Sequence, residues 1–186
     1  HQEPKRKKPF TYAPDASGYY GYSVHDTKIT TLPGIFSWEK PDPASLLLLE
    51  AVLPHPAETI LDWGCGSGLI GTVLAKKWQD LRQITFSDDL VAACRCAKQT
   101  TEINGITSRA EIILEAGIGR ELRKKRYGMI LANPPYHRGQ RSDHETAPAF
   151  ILNAARVLEP KGELWLVGPK HIGYGRQMEP LFKTTE

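Results

Sequence analysis

Hydrophobic positions along this chain follow two rhythms that alternate from residue 59 onward. Short aliphatic runs, "TILDW" (59–63), "QITFSD" (83–88), "AEIIL" (110–114), "YGMILA" (127–132) and "GELWLVG" (162–168), have the length and content of strands. Between them the apolar positions recur at helical spacing. "GLIGTVLAKKW" (68–78) predicts one helix. "DLVAACRCAKQTTEING" (89–105) predicts another, with Leu90, Ala93, Cys94 and Ala97 on one face and a stop at Asn104-Gly105. "PAFILNAARVLEP" (148–160) carries Phe150, Ile151, Ala154, Val157 and Leu158 on one stripe, and "RQMEPLFK" (176–183) begins a last helix.

Upstream, "KPDPASLLLLEAVLP" reads as a helix over 43–53: Asp42 is the candidate N-cap, Pro43 suits the first helical position, and Pro54 stops it. Before it, two β-prone runs, Tyr20–Val24 and Lys28–Thr31, flank His25-Asp26-Thr27 as a turn and predict a hairpin. Strand–helix alternation at this spacing specifies an α/β fold with a mostly parallel central sheet flanked by helices. The last helix has no strand to return to, so the closing C-terminal strands of such a sheet are expected to be absent. The expected organisation is a basic tail over 1–17, a hairpin extension over 18–40, and an α/β domain over 41–186.

Charge changes this picture at one end only. The first ten residues, "HQEPKRKKPF", hold four Lys/Arg and one Glu. Removing them from the totals of 24 basic and 21 acidic residues leaves 20 of each. All the excess charge therefore sits in the tail. It suits an anionic partner such as nucleic acid, or is simply a solvated arm. A second basic run, "GRELRKKRY" (119–127), has the same two readings, an RNA-phosphate patch or a solvated helix. The cysteines, Cys65, Cys94 and Cys96, have neither disulfide nor zinc spacing, so no metal is expected and the compartment reads as reducing and cytoplasmic. No apolar run approaches the ~20 residues that span a bilayer, and no membrane partner is expected.

Two loops carry the candidate chemistry. "LDWGCGSGLIG" (61–71) follows the first core strand and opens a helix, and Gly66, Gly68 and Gly71 satisfy G-x-G-x-x-G. Asp88 ends the next strand 20 residues beyond Gly68, where an acid can accept hydrogen bonds from ribose hydroxyls. Asp89 beside it is placed to cap the following helix, or the two exchange roles. An adenosine-containing cofactor follows. Asp62 lies just before the glycines. Its carboxylate would repel a pyrophosphate and suits a cationic end, as in S-adenosylmethionine, unless it only organises the loop. Cys65 sits between two glycines and would offer its backbone.

The second loop is "ILANPPYHRG" (130–139), at the carboxyl end of the fourth core strand. Proline holds the residue before it extended and has no N–H, so Asn133, Pro134 and Pro135 present acceptors almost without donors. That suits a planar –NH2 group, whose hydrogens the Asn133 side-chain oxygen and the Pro134 carbonyl would accept. Tyr136 would stack on the flat target. His137, Arg138 and Arg141 leave this loop and would meet an RNA backbone, or His137 caps the loop.

"LDWGCGSG", "SD" and "NPPY" in this order resemble the class I S-adenosylmethionine-dependent methyltransferases that modify exocyclic or amide nitrogens. "TTLPGIFSW" (30–38) is similar to the segment preceding the core in ribosomal RNA small-subunit guanine-N2 methyltransferases of the methyltransferase small domain group. The resemblance covers roughly residues 19–183 and implies a Rossmann-like methyltransferase fold. It further implies that Asp62, Gly64, Cys65, Gly66 and Gly68 surround the methionine part of the cofactor, and that Asp88 with Asp89 holds the ribose. Asn133, Pro134, Pro135 and Tyr136 would hold the target base, with Asn133 also touching the cofactor. Where those enzymes carry an Asp-x-Gly-Ser run, "KPDPASLL" stands here. Where many carry Asp or Asn near the adenine, "LEAGIG" stands here, leaving that contact to Gly117 and its neighbouring backbone or to Glu115.

The expected activity is methyl transfer to guanine N2 of ribosomal RNA, with the RNA or the small ribosomal subunit as partner. Adenine-N6 and protein-glutamine methylation share the Asn-Pro-Pro-Tyr word. A nicotinamide-dependent oxidoreductase shares the glycine loop, and a catalytically silent RNA-binding homologue would share both.

Overall fold

His25 and Asp26 both have left-handed backbones, with φ of 45° and 57°. Two such residues in sequence make the tight turn whose twist matches a hairpin. They join β1 (Tyr20–Val24) to β2 (Thr27–Thr31), antiparallel, with Val24 opposite Thr27. The second strand therefore begins one residue earlier than its β-prone run suggests, because the turn needs only two residues. The computed structural model describes residues 14–134 and 147–183.

Asp42 starts α1 (Pro43–Val52) as expected: its carboxylate accepts the Ser45 N–H at 2.8 Å, and Pro43 sits in the first turn. The chain then alternates through β3 (Thr59–Trp63), α2 (Leu69–Lys77), β4 (Gln83–Asp88), α3 (Val91–Ile103), β5 (Ala110–Leu114), β6 (Tyr127–Ala132), α4 (Ala147–Val157), β7 (Leu158–Leu166) and α5 (Tyr174–Met178). The five later strands form one sheet in the order β5-β4-β3-β6-β7, every pair parallel.

Alternation along each strand builds two cores. Ile60, Ile84, Phe86, Met129 and Leu131 meet Leu49, Val73 and Leu74 on the face covered by α1, α2 and α3. Leu61, Ile113, Ile130 and Leu164 meet Phe150, Ile151, Ala154 and Val157 of α4 on the other. Each such large buried side chain contributes about 1.5–3 kcal/mol by leaving water. The hairpin is fastened to the first layer by polar contacts. Thr30 N–H donates to Thr100 Oγ1 at 3.0 Å, and Asn104 Nδ2 donates to the Lys28 carbonyl at 2.7 Å. Ile35 packs with Ala93 and Cys96 of α3, so the segment leaving β2 lies over that helix.

Two expectations are corrected. The helix read over 148–160 ends at Val157, because Leu158 already pairs with Tyr127 in the sheet. The next pair is Met129 with Glu163, so residues 159–162 bulge, with Lys161 at φ 68°. Leu90 does not join the buried face of α3; it precedes the helix and is 43% exposed. On β7, Trp165 is half-buried, its ring 5.1 Å from His55 and its Nε1 donating to Glu163.

Gly71 shows how tightly α2 lies on the sheet. A Cβ there would stand 2.5 Å from Ile84 Cδ1 and 2.5 Å from Phe86 Cε1. Both neighbours are fully buried and have nowhere to retreat. Gly71→Ala is expected to lose about 1–3 kcal/mol of stability by overpacking, read as a lower urea midpoint. An unchanged midpoint would contradict this packing.

Candidate active site

The β3–β6 pairing builds the site. Trp63 lies opposite Ala132 in parallel register, so the next residues, Gly64 and Asn133, leave the sheet side by side. β4 lies on one side of β3 and β6 on the other, so this is where the connections diverge and a crevice opens above the strand ends.

Above β3 the glycine loop is held by its neighbour strand. The N–H groups of Gly64 and Cys65 donate to the Ser87 carbonyl at 2.8 and 3.0 Å, and Gly68 N–H donates to the Cys65 carbonyl at 2.8 Å. Gly64, Gly66 and Gly68 have φ of 73°, 54° and 74°, a left-handed run that side chains disfavour. Gly68 caps α2, and a Cβ on it would stand 3.2 Å from Ala97 Cα, so it admits the close approach of α2 to α3. Among the described residues it lines neither cavity at the site, unlike Gly64 and Gly66. Cys65 has its N–H engaged by Ser87 of β4 and its carbonyl by Gly68, and burial pushes its thiol well above the ordinary range.

Asp88 does not stand apart as a free ribose acceptor. Its Oδ2 accepts from Gly66 N–H at 2.9 Å and its Oδ1 from Leu90 N–H at 3.0 Å. Each oxygen keeps a second lone pair for a ligand. Burial raises its pKa, the two N–H donors oppose that, and Asp89 adds to it. Of the two readings of this pair, Asp89 as the cap of α3 is not seen, while Asp88 accepts the Leu90 N–H at the turn, as an exchange of roles would have it. The helix starts after Leu90 with no side-chain cap, and both acids line the cavity.

Asp62 is 3% exposed, beneath the loop, where its Oδ2 accepts the Gly71 N–H at 2.9 Å. Burial pushes its pKa up to about 7, the Gly71 N–H opposes this, and the Asp88 charge adds to it.

The larger cavity, about 460 Å³, is lined together by Gly64, Gly66, Asp88, Gly117, Asn133 and Pro134. Gly117 is left-handed, with φ 62°. Glu115 also lines the cavity, with its two oxygens accepting one N–H each, from Glu121 and Leu122 at 3.0 and 3.1 Å. The rim near Gly117 therefore offers both backbone groups and this carboxylate. Phe36, 60% exposed, also lines the cavity, and its position over the strand ends was not evident from spacing. Asp42 and Ser45 were missed for the same reason. Asn133 Nδ2 donates to Asp42 Oδ2 and to Ser45 Oγ, each at 2.9 Å. Pro135, Tyr136, His137, Arg138 and Arg141 lie outside the described residues.

The basic run over 119–127 leads into the amino end of β6, opposite the edge that carries the cavity. There Lys124 pairs with Glu121 and Lys125 with Glu111, which favours its solvated reading. Among the described residues no group of three His, Cys, Asp or Glu side chains could hold a metal, and no helix is long and apolar enough to cross a membrane.

The raised Asp62 pKa makes a prediction for the ligand-free protein. The folded pKa exceeds the unfolded one, so the stability linked to this group is fully present below the ordinary aspartate value and is lost as pH rises to about 7. Asp62→Asn keeps an acceptor for Gly71 and removes the titration. The variant should therefore gain on the wild type as pH rises from about 4 to about 7, and hold a constant difference above. Urea titrations across that range measure it. A difference that does not change with pH would mean that Asp62 ionises as freely in the fold as outside it.

Comparison with known proteins places this geometry. The Methyltransferase small domain family matches residues 26–186. Ribosomal RNA small subunit methyltransferase C of Cronobacter sakazakii is 34% identical over 92% of this chain and 49% of its own length. The Escherichia coli O1:K1 / APEC protein of the same name is 32% identical over 90% of this chain and 48% of its own length. The chain thus spans about half the length of the curated relatives it matches. A Thermus thermophilus 16S rRNA N2 G1207 methyltransferase, solved with AdoMet and guanosine, superposes with a TM-score of 0.75 at 28% identity, over 89% of this chain and 46% of that one. A ribosomal protein L11 methylase of Lactobacillus delbrueckii subsp. bulgaricus shares the fold alone, with a TM-score of 0.58 at 16% identity. The oxidoreductase reading of the glycine loop is set aside, and the chain belongs to the methyltransferase small domain family.

Proposed function

We propose that this chain moves a methyl group from S-adenosylmethionine to the exocyclic N2 of a guanine in small-subunit ribosomal RNA, in the cytoplasm. One observation carries the reading. The glycine loop with Asp88, and the acceptor end of β6 at Asn133 and Pro134, line a single cavity. A methyl donor and a planar amine held there would face each other without leaving it.

The residues present fit the cofactor. Asp62 and Asp88 put acidic groups against the loop, suited to a cationic ligand and hostile to a pyrophosphate. Asp88 keeps lone pairs for ribose hydroxyls, and backbone near Gly117 borders the space left for an adenine. The bound cofactor supplies an electrophilic methyl group on a sulfonium. Everything else falls to the chain. Asn133 Oδ1 and the Pro134 carbonyl accept the hydrogens of the target amine, aim its lone pair, and stabilise the positive charge that develops on the nitrogen. Holding both reactants in one cavity supplies the alignment. No strong base is needed, because the nitrogen sheds its proton after transfer. Phe36, and Tyr136 by its place in the sequence, offer aromatic faces to the base. The relatives named for small-subunit ribosomal RNA, and the neighbour solved with guanosine, support guanine over adenine or glutamine.

Mass spectrometry of nucleosides from small-subunit RNA, with and without the protein, tests this. N2-methylguanosine should fall by one residue per RNA when the protein is missing, and only the wild type should restore it. Asn133→Ala should lose about 10²–10³ in kcat with S-adenosylhomocysteine binding retained. A deficit of N6-methyladenosine instead would move the assignment to adenine.

A further inference from the structure

We propose that Asp42 and Ser45 are positioning residues that lock the Asn133 amide with its oxygen, and not its nitrogen, turned toward the target amine. The inference rests on the proposed role of Asn133 as an acceptor and names what makes it one.

An asparagine amide has two orientations related by a half-turn, one presenting a carbonyl oxygen and the other a pair of donors. Its hydrogen-bond partners decide between them. Here Nδ2 lies 2.9 Å from Asp42 Oδ2 and 2.9 Å from Ser45 Oγ. An amide nitrogen has two hydrogens, and these two contacts use both. The Ser45 hydroxyl would accept either orientation, since it donates as well as accepts. The Asp42 carboxylate would not, because it only accepts. Turning the amide over would set carbonyl oxygen against carboxylate oxygen. The carboxylate therefore selects the orientation, and the hydroxyl takes up the second hydrogen. No described residue donates to Asn133 Oδ1, which is left for the cavity that Asn133 lines.

The consequence is chemical as well as geometric. A target –NH2 presents donors, so a reversed amide would set donors against donors at the reacting nitrogen. The charge of Asp42, passed through the amide, also strengthens Oδ1 as an acceptor. As the nitrogen attacks and becomes positive, that bond tightens in the transition state rather than in the ground state.

The local sequence explains why Asp42 can do this. Pro43 holds Asp42 extended, with φ −72° and ψ 132°, and the same Oδ2 accepts the Ser45 N–H at 2.8 Å. One carboxylate oxygen thus caps α1 and holds the catalytic amide.

The test uses the full chain with small-subunit RNA from cells lacking the protein. Asp42→Asn removes the charge that strengthens Oδ1, and it lets the Asn133 amide turn over only if the new amide turns with it and gives up the Ser45 N–H, so the orientation is held less firmly. Its kcat should fall about tenfold to a hundredfold, with KM for RNA and affinity for S-adenosylhomocysteine unchanged. Asn133→Asp sets two carboxylates face to face and should fall at least as far. Combining Asp42→Asn with Asn133→Asp restores one amide donating to one carboxylate, with an acceptor again facing the cavity and the Ser45 N–H cap given up in exchange. The pair should regain about tenfold over Asn133→Asp alone. Independently of activity, the Asn133 side-chain NH2 should exchange slowly with solvent in the wild type and fast in Asp42→Asn, seen by nitrogen-edited NMR. A wild-type kcat for Asp42→Asn, no recovery in the exchanged pair, or fast exchange in the wild type would each overturn the lock. Should Asp42→Asn fail to fold, Asp42→Ser decides, since its hydroxyl can cap α1 but accepts either amide orientation: a lower kcat with unchanged KM supports the lock, and an unchanged kcat overturns it. Asn133→Ala measured alongside separates the two readings. Full activity there removes Asn133 as the acceptor, and the lock's catalytic meaning with it. An inactive Asn133→Ala beside a fully active Asp42→Asn removes the lock alone.

Discussion

Parallel pairing of β3 with β6, with Trp63 opposite Ala132, is the constraint on which the site depends. It sets the last residue of one core strand beside the last residue of another, 69 positions later in the chain. Whatever follows each strand must then share the same crevice. A glycine loop follows one and an asparagine followed by prolines follows the other. A change of one residue in that register would draw Gly64 away from Asn133 and exchange the side chains around which the two cores are packed. The layers on either side therefore hold the chemistry in place as well as stabilising the fold.

Acidic groups beneath and beside the loop bind its backbone more than they stand free. Asp62 accepts from Gly71 and Asp88 from Gly66, so each carboxylate fixes a glycine; Asp88 also lines the larger cavity, and Asp62 the small one beside it. Burial raises the pKa of both. A cationic ligand would offset that cost, which a phosphate would increase. The same economy appears on the opposite wall, where Asp42 caps α1 and holds Asn133.

Much of this was legible beforehand. Strand content at 59–63, 83–88, 110–114 and 127–132 placed four core strands to the residue, because buried parallel strands are apolar on both faces. Pro43 and Asp42 marked a helix start through local backbone restrictions, and Asn104-Gly105 marked an end in the same way. The boundary after Val157 was not legible, since Leu158 fits a helical stripe as well as a strand, and only pairing with Tyr127 decides. The role of Asp89 as a cap failed because Asp88 satisfied the turn first.

The sequence by itself determined the local chemistry: a loop of left-handed glycines, an acid at the end of the second core strand, and an acceptor-rich Asn-Pro-Pro turn. These follow from φ limits, side-chain inventory and spacing, which act over a few residues. Only the tertiary structure decided which of these groups meet. Asp42 and Asn133 stand 91 residues apart, and no local rule links a helix cap to a strand end. Their contact exists because α1 covers the sheet face beside β3 while β6 pairs on that strand. The orientation of the Asn133 amide, and hence whether the site offers an acceptor or a donor, is a property of that packing.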